Sequence, residues 1–309
     1  MHSYKNKNFL VFGTGAVGGY YGGLLVKAGY DVTFIARGKN YISLKEKGLT
    51  LIRDEKKENY KIKIFEATRE LETFDYIFIC VKSKDTLEAA KSIKENIGKD
   101  TTVVSFQNGV ENEEIIASII GKDKVIGGLV FVASKLIEPG TIKQAGYNGG
   151  LIGELNCKIT PRIETLAAIM QDSGIDCKIS KDINGDLWNK LVWNASFNPI
   201  SVYTGKTVDE ILMDPKLYKL TKDIMTEVRD VALAHGYNVR PDTVEFNLKR
   251  SKGFKGFKTS MLQDFEQGKQ LELDELVGIV VKKAHEKNMT VPNIEDLYNK
   301  VKQKITVKT

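Results

Sequence analysis

The sequence predicts an α/β chain in two parts, a doubly wound sheet domain over residues 1–180 and an all-α domain over 181–309. Three observations carry that expectation. A short apolar run, Phe9-Leu10-Val11-Phe12, leads directly into the glycine-rich turn Gly13-Thr14-Gly15-Ala16-Val17-Gly18. Unbroken apolar runs then alternate with helical segments, which is how strands buried on both faces of a parallel sheet read. From about Asp182 the strand patterns stop and helical periodicity continues to the C-terminus. At 309 residues the chain is also longer than one core usually grows, so two domains are expected.

The first strand, residues 9–12, is followed by the spacing G-x-G-x-x-G, in which each glycine has its own task. Gly13 lets the chain turn sharply, Gly15 lets the backbone approach a pyrophosphate, and Gly18 lets the helix pack on the strand. A helix opening there turns its free N–H groups and positive dipole end toward phosphate. Gly13, Thr14, Gly15, Ala16, Val17 and Gly18 are therefore expected to hold a dinucleotide on a Rossmann-type domain. Residues 20–28 read as a helix stopped by Gly29, and 32–36 as the second strand. Shorter strands at 49–52 and 60–65 flank a charged turn at 53–59. Residues 76–81 and 102–106 are central strands with a helix at 86–97 between them. A further strand at 125–132, a Gly-rich hairpin at 139–153, a helix at 161–172 and a strand at 177–179 complete the domain. Helices at 187–198, 217–235, 241–249, 274–287 and 292–304 build the second, with Pro199 expected to end or kink the first of them.

Composition narrows the function. A content of 42% hydrophobic and 28% charged residues describes an ordinary soluble globular protein. The net charge of +6 comes from scattered lysines rather than a basic stripe, which argues against nucleic acid as a partner. A mild positive bias suits a polyanionic cofactor and a carboxylate substrate. No apolar run reaches the ~18 residues of a membrane span, and a polar N-terminus leading into a strand speaks against a signal peptide. Cys80, Cys157 and Cys177 form neither a disulfide framework nor a zinc pattern, so a cytoplasmic setting is expected. His2, His235 and His285 are far apart, so no metal site and no histidine-based dehydrogenase is expected. A homodimer through the helical domain is compatible with the chain, but nothing in the sequence selects an oligomeric state.

The candidate side chains fall into two groups. At the end of the second strand, where an acidic residue would select NAD, stands Arg37, followed by Gly38 and Lys39. A guanidinium there suits a 2′-phosphate, favouring NADP(H), although solvated loop charges are the alternative. Asp31 lies at the wrong end of that strand. Lys82 and Asn108 follow central strands at their carboxyl ends, where an open sheet holds its ligand. A surface lysine and an Asn-Gly turn are the plainer readings. In the second domain, Lys190, Asn194 and Asn198 recur at every fourth position and share one helix face among core-type neighbours, lining a wet cleft or facing solvent. Ser260, with Gln263 three positions on, reads as a helix cap whose N-terminus can also take an anion. Glu272 stands between two leucines, where a lone carboxylate is ordinarily on the surface.

Taken together these residues resemble the ketopantoate reductase family (2-dehydropantoate 2-reductases), over nearly the whole chain. The likeness rests on the loop 13–18, Ile35-Ala36-Arg37, Val81-Lys82, Gln107-Asn108-Gly109, Lys190-x-x-x-Asn194-x-x-x-Asn198-Pro199, and Ser260-Met261-Leu262-Gln263-Asp264 followed by Glu272-Leu273-Asp274. The resemblance implies a helical domain like that of 6-phosphogluconate dehydrogenase and NADPH-dependent reduction of 2-dehydropantoate to pantoate, in pantothenate and coenzyme A synthesis. It implies Lys190 as the catalytic lysine and Asn194, Asn198 and Ser260 as substrate-binding residues. Asn108 would lie near both ligands, Glu272 beside cofactor and substrate, and Ala133, after the strand at 125–132, against the cofactor. The chemistry agrees, since a protonated lysine can polarise a ketone and quench the alkoxide formed by hydride addition. Three alternatives stay open. One is a reductase of another branched 2-oxo acid. A second is a β-hydroxyacid dehydrogenase, whose glycine-rich substrate loop is not evident. The third is a non-catalytic NADP(H)-binding regulator, which has no need of both Lys190 and Glu272.

Overall fold

Alternation along the first strand decides how the N-terminal part is layered. In β1 (Asn8–Phe12), Phe9 and Val11 enter one buried cluster and Leu10 and Phe12 a second. The first cluster takes in Tyr20 and Tyr21 of α1 (Ala16–Lys27), Leu44 of α2 (Gly38–Lys47), and Ile163, Leu166 and Met170 of α5 (Pro161–Asp172). The second takes in Ala89 and Ala90 of α3 (Thr86–Ser92) and Ile116 of α4 (Asn112–Ile120). A strand that buries both its faces under helices is what a doubly wound sheet demands. A computed structural model describes residues 4–308; His2 lies outside the described residues. The chain divides into two compact units, residues 1–183 and 184–309.

The sheet of the first unit has ten strands. The remaining nine are β2 (Asp31–Ile35), β3 (Leu49–Arg53), β4 (Lys56–Tyr60), β5 (Lys63–Phe65), β6 (Phe74–Ile79), β7 (Ile97–Ser105), β8 (Val125–Glu138), β9 (Thr141–Glu154) and β10 (Asp176–Ile179). Their order is β4-β3-β9-β8-β7-β6-β1-β2-β5, with β10 paired to β9. The core from β5 to β8 is parallel, whereas β8–β9 and β3–β4 are antiparallel, so the sheet is mixed. From β1 the chain crosses to β2 on one side and later returns to β6 on the other. The carboxyl ends of β1 and β6 thus form the switch point where open α/β sheets place their ligands.

Several elements differ from the sequence expectation. The charged turn at 53–59 is mostly strand β4, joined to β3 by Asp54 and Glu55, both at positive φ (48° and 62°). Two left-handed residues make the mirror-image turn that matches strand twist. An exposed edge strand can be as charged as Lys56-Lys57-Glu58, which is why its polarity misleads. The helices α2 and α4 carry few buried residues and leave little periodic signal. The β8–β9 hairpin runs to 14 residues on each arm, so Ala133 lies inside β8 rather than after it.

The second unit is helical: α6 (Ile183–Thr204, beginning at the boundary), α7 (Val208–Met213), α8 (Pro215–Ala234), α9 (Thr243–Ser251), α10 (Ser260–Glu266), α11 (Ile279–Glu286) and α12 (Pro292–Lys308). Pro199 does not end α6, which continues five residues beyond it. The missing N–H weakens one turn, but Ala195, Phe197, Ile200 and Val202 are all fully buried and tertiary packing holds the helix. Among the described residues no helix is long and apolar enough to cross a membrane.

Candidate active site

The glycine loop has the geometry its spacing implies. The Gly13 and Thr14 N–H groups both donate to Ile35 O, at 3.2 and 3.1 Å, tying the turn to the end of β2. Gly13 sits at φ +103°, and a Cβ there would stand 2.8 Å from Val81 N. A Cβ on Gly18 would overlap the Gly13 carbonyl oxygen and crowd Cys80, so these two positions are closed to larger residues. Gly15 is the opposite case, with nothing within 4 Å of its Cβ position. The turn is therefore packed on the protein side and open outward, as the approach of a bulky anion needs. Helix α1 starts behind it at Ala16, Val17 and Gly18 with no side-chain cap and no acidic residue in its first turn. Its N–H groups and dipole are thus left for a negative group. Asn40, which sequence reasoning missed, braces the loop by donating to Thr14 O at 2.7 Å and accepting from Gly140 N at 2.8 Å.

A cavity of about 210 Å³ opens beside this turn, lined by Gly13, Thr14, Gly15, Arg37, Asn40, Val81 and Glu88 among others. Arg37 precedes α2, and its Nη2 donates to Glu88 Oε1 at 2.7 Å. Both side chains are about 60% exposed (62% and 61%), so the pair is worth only about 0–1 kcal/mol and can exchange for a stronger anion. These residues fit an adenosine diphosphate moiety, with a cation placed at the cavity wall.

Lys82 is exposed just beyond β6, at the start of a single 3₁₀ turn, Ser83–Asp85. Asn108 lies in the loop after β7, and its carbonyl accepts from Ser83 Oγ (2.6 Å) and Asn112 Nδ2 (2.7 Å). Gln107 Nε2 donates to Val81 O (3.0 Å) and Thr86 Oγ1 (2.8 Å), strapping the β6 and β7 ends together. Ala133 is exposed, opposite Ala145 after a bulge in β8, and does not line the cavity.

In the second unit, α6 carries Lys190, Asn194 and Asn198 on one face. This is no solvated face, since Asn194 is 8% and Asn198 1% exposed. Both amide atoms of Asn198 are buried without a hydrogen-bond partner among the described residues. Lys190 is half-buried, and desolvation is the main cause that pulls its ammonium from 10.5 down to about 8. Glu272 opposes that fall and Arg250 adds to it. Glu272 is itself buried, correcting the expectation of a surface carboxylate, and precedes a π-helical turn, Asp274–Gly278. Such turns recur at functional sites.

Ser260 is also reassigned. Thr259, not Ser260, caps α10, accepting from Leu262 N at 3.1 Å, because the first helical residue is Ser260 itself, one position earlier than the Ser-x-x-Gln spacing suggests. Ser260 is exposed, and its hydroxyl is not occupied by capping. Ser201 Oγ and Thr259 Oγ1 lie 2.6 Å apart, which brings the α10 N-terminus to the far end of α6. Among the described residues no group of three or more His, Cys, Asp or Glu side chains is arranged to hold a metal.

Comparison with known proteins identifies the family of the chain. Residues 9–156 match the family model described as "Ketopantoate reductase PanE/ApbA", and residues 182–305 match "Ketopantoate reductase PanE/ApbA C terminal". The chain belongs to the ketopantoate reductase family. It is 35% identical over 277 residues to a 2-dehydropantoate 2-reductase of Archaeoglobus fulgidus, covering 89% of this chain and 90% of that one. Against the 2-dehydropantoate 2-reductase of a Nostoc species it is 29% identical over 306 residues, covering 96% and 95%. The crystal structure of 2-dehydropantoate 2-reductase from Geobacter metallireducens matches with a TM-score of 0.90 at 29% identity, covering 96% and 99%. Membership makes the chain an oxidoreductase with a Rossmann-like N-terminal unit and a helical C-terminal one. Arg250 is a charged member of this neighbourhood that the sequence did not single out. In Leu248-Lys249-Arg250-Ser251-Lys252 it reads as one of three surface cations, and only its position three residues after buried Asn247 hints otherwise.

Proposed function

We propose that the protein reduces 2-dehydropantoate to pantoate with NADPH, a step toward pantothenate and coenzyme A. The observation that carries this reading is the Lys190 site: a half-buried ammonium opposed by a buried Glu272, with two buried amides on the same helix face. The N-terminal unit is read as the dinucleotide-binding domain and the helical unit as the substrate domain. Loop residues Gly13 to Gly18 would hold the pyrophosphate, Arg37 the 2′-phosphate, and Lys82, Asn108 and Glu272 further parts of the cofactor. A reduced nicotinamide supplies the hydride in this chemistry.

The chain's own residues do the rest. Lys190 donates a hydrogen bond to the ketone oxygen, which draws charge from the carbonyl carbon. As the carbon gains a hydride, which brings its own electron pair, the C=O π pair moves to the oxygen as an alkoxide, and Lys190 Nζ passes its proton there to complete the alcohol. An ammonium lowered to about 8 is still charged at neutral pH yet gives up its proton far more readily than an exposed lysine. Glu272 keeps Lys190 charged between turnovers. Asn108, Asn194, Asn198 and Ser260 offer hydrogen bonds to the substrate's hydroxyl and carboxylate oxygens, and the buried Asn198 amide, without a hydrogen-bond partner among the described residues, makes that exchange favourable. The test is oxidation of NADPH in the presence of 2-dehydropantoate and a panel of other 2-oxo acids. Fast turnover of 2-dehydropantoate is expected; preference for another acid would move the substrate, and turnover of none would remove the activity.

A further inference from the structure

Arg250 closes the last turn of α9, whose buried face carries Thr243, Val244, Asn247, Leu248 and Ser251. That helix is pinned to α6 next to the catalytic candidate. The Trp193 indole N–H, three residues from Lys190, donates to Ser251 Oγ at 2.9 Å, and Ser251 Oγ donates to Asn247 O at 2.7 Å. Arg250 is close enough to Lys190 for the two cations to oppose each other. Its Nε is buried without a hydrogen-bond partner among the described residues, and the Phe246 ring centre lies 5.7 Å from its guanidinium carbon.

A guanidinium partly withdrawn from water, with no carboxylate partner among the described residues, is an unfavourable arrangement on its own. The formal charges of Lys190, Arg250 and Glu272 sum to one positive charge. A single carboxylate entering the site would balance it, and a planar fork matches a carboxylate with two parallel hydrogen bonds. Resting on the reading of the site as a 2-oxo acid reductase, we propose that Arg250 binds the substrate's carboxylate and so makes the enzyme selective for acids over uncharged ketones. Lys190 is then left to the ketone oxygen, and the amides and Ser260 to the remaining polar groups. No sequence motif announces this role, since a lysine-flanked arginine at a helix C-terminus normally points to solvent.

The test compares 2-dehydropantoate with its primary amide, which keeps the ketone and shape and loses the charge, in wild-type enzyme, R250M and R250K. Loss of a charge-assisted pair predicts that the acid-to-amide ratio of kcat/KM falls about 10- to 100-fold in R250M. The loss should sit in KM for the acid, with KM for NADPH unchanged within about twofold. R250K keeps the charge and lacks the fork, so it should lose a smaller part of the ratio at an unchanged Tm; it also serves if R250M folds poorly. Equal loss on acid and amide, or an unchanged ratio in both variants, would overturn the assignment while leaving the reductase activity standing. Failure of the wild-type enzyme to reduce any 2-oxo acid would remove the activity and this role together.

Discussion

The pH dependence of turnover should report the balance of charge around Lys190. Burial and Arg250 push its ammonium down and Glu272 holds it up, for a result near 8 against an ordinary 10.5. That fall corresponds to about 3 kcal/mol of preference for the neutral amine. At pH 7 about nine-tenths of the enzyme carries the proton the alkoxide needs, and at pH 9 only about one-tenth does. With NADPH saturating, kcat/KM for 2-dehydropantoate should be level below pH 7 and fall about tenfold per pH unit above 8. Two substitutions move the limb in opposite directions. Glu272→Gln removes the group that holds the proton and shifts the limb to lower pH. Arg250→Met removes an opposing cation and shifts it upward. A limb near 10, or one that neither substitution moves, would refute the proton-donor role.

Other outcomes follow from the loop, the cavity wall and a buried acid. Gly15→Ala has open space and an ordinary φ of −86°, so its Tm should stay within a degree or two of wild type, about 0.5 kcal/mol, while NADPH binding weakens about 10- to 100-fold. Gly18→Ala should instead destabilise the fold by about 3 kcal/mol, read by denaturant unfolding. Arg37→Met should weaken NADPH about 10-fold or more and NADH hardly at all, whereas Glu88→Gln should tighten NADPH; equal effects on both cofactors would contradict the 2′-phosphate role. Glu113 on α4 is buried, and desolvation is the main cause pushing its carboxyl up to about 7. The folded chain then holds a proton that the unfolded chain releases between about pH 4.5 and 7, so stability should fall as pH rises through that window. Glu113→Gln should flatten that fall and add up to about 3 kcal/mol above pH 7.

Much of this was legible before the fold was known because the physical constraints are local. The turn at 13–18 needs glycine at Gly13 and Gly18 because the backbone approaches too closely for any Cβ, and such needs are written directly in sequence. The unbroken apolar runs of β1, β6 and β7 likewise follow from burial on both faces. What misled were positions whose environment comes from distant segments. Lys56, Lys57 and Glu58 form an edge strand through pairing with β3. Thr259 takes the cap in place of Ser260, and its hydroxyl also meets Ser201, far away in sequence. Pro199 sits in a helix that packing sustains. Glu272 and Arg250 look like surface charges until the helical unit folds around Lys190, and no periodicity shows a charge whose burial is set by tertiary contacts.

The proposed reduction depends most on Lys190, and Lys190→Ala tests that role directly by following NADPH consumption with 2-dehydropantoate beside NADPH binding measured by nucleotide fluorescence. The expected result is a fall in kcat of about 100- to 10,000-fold with NADPH affinity essentially unchanged. Turnover within about tenfold of wild type would contradict the central role given to this ammonium.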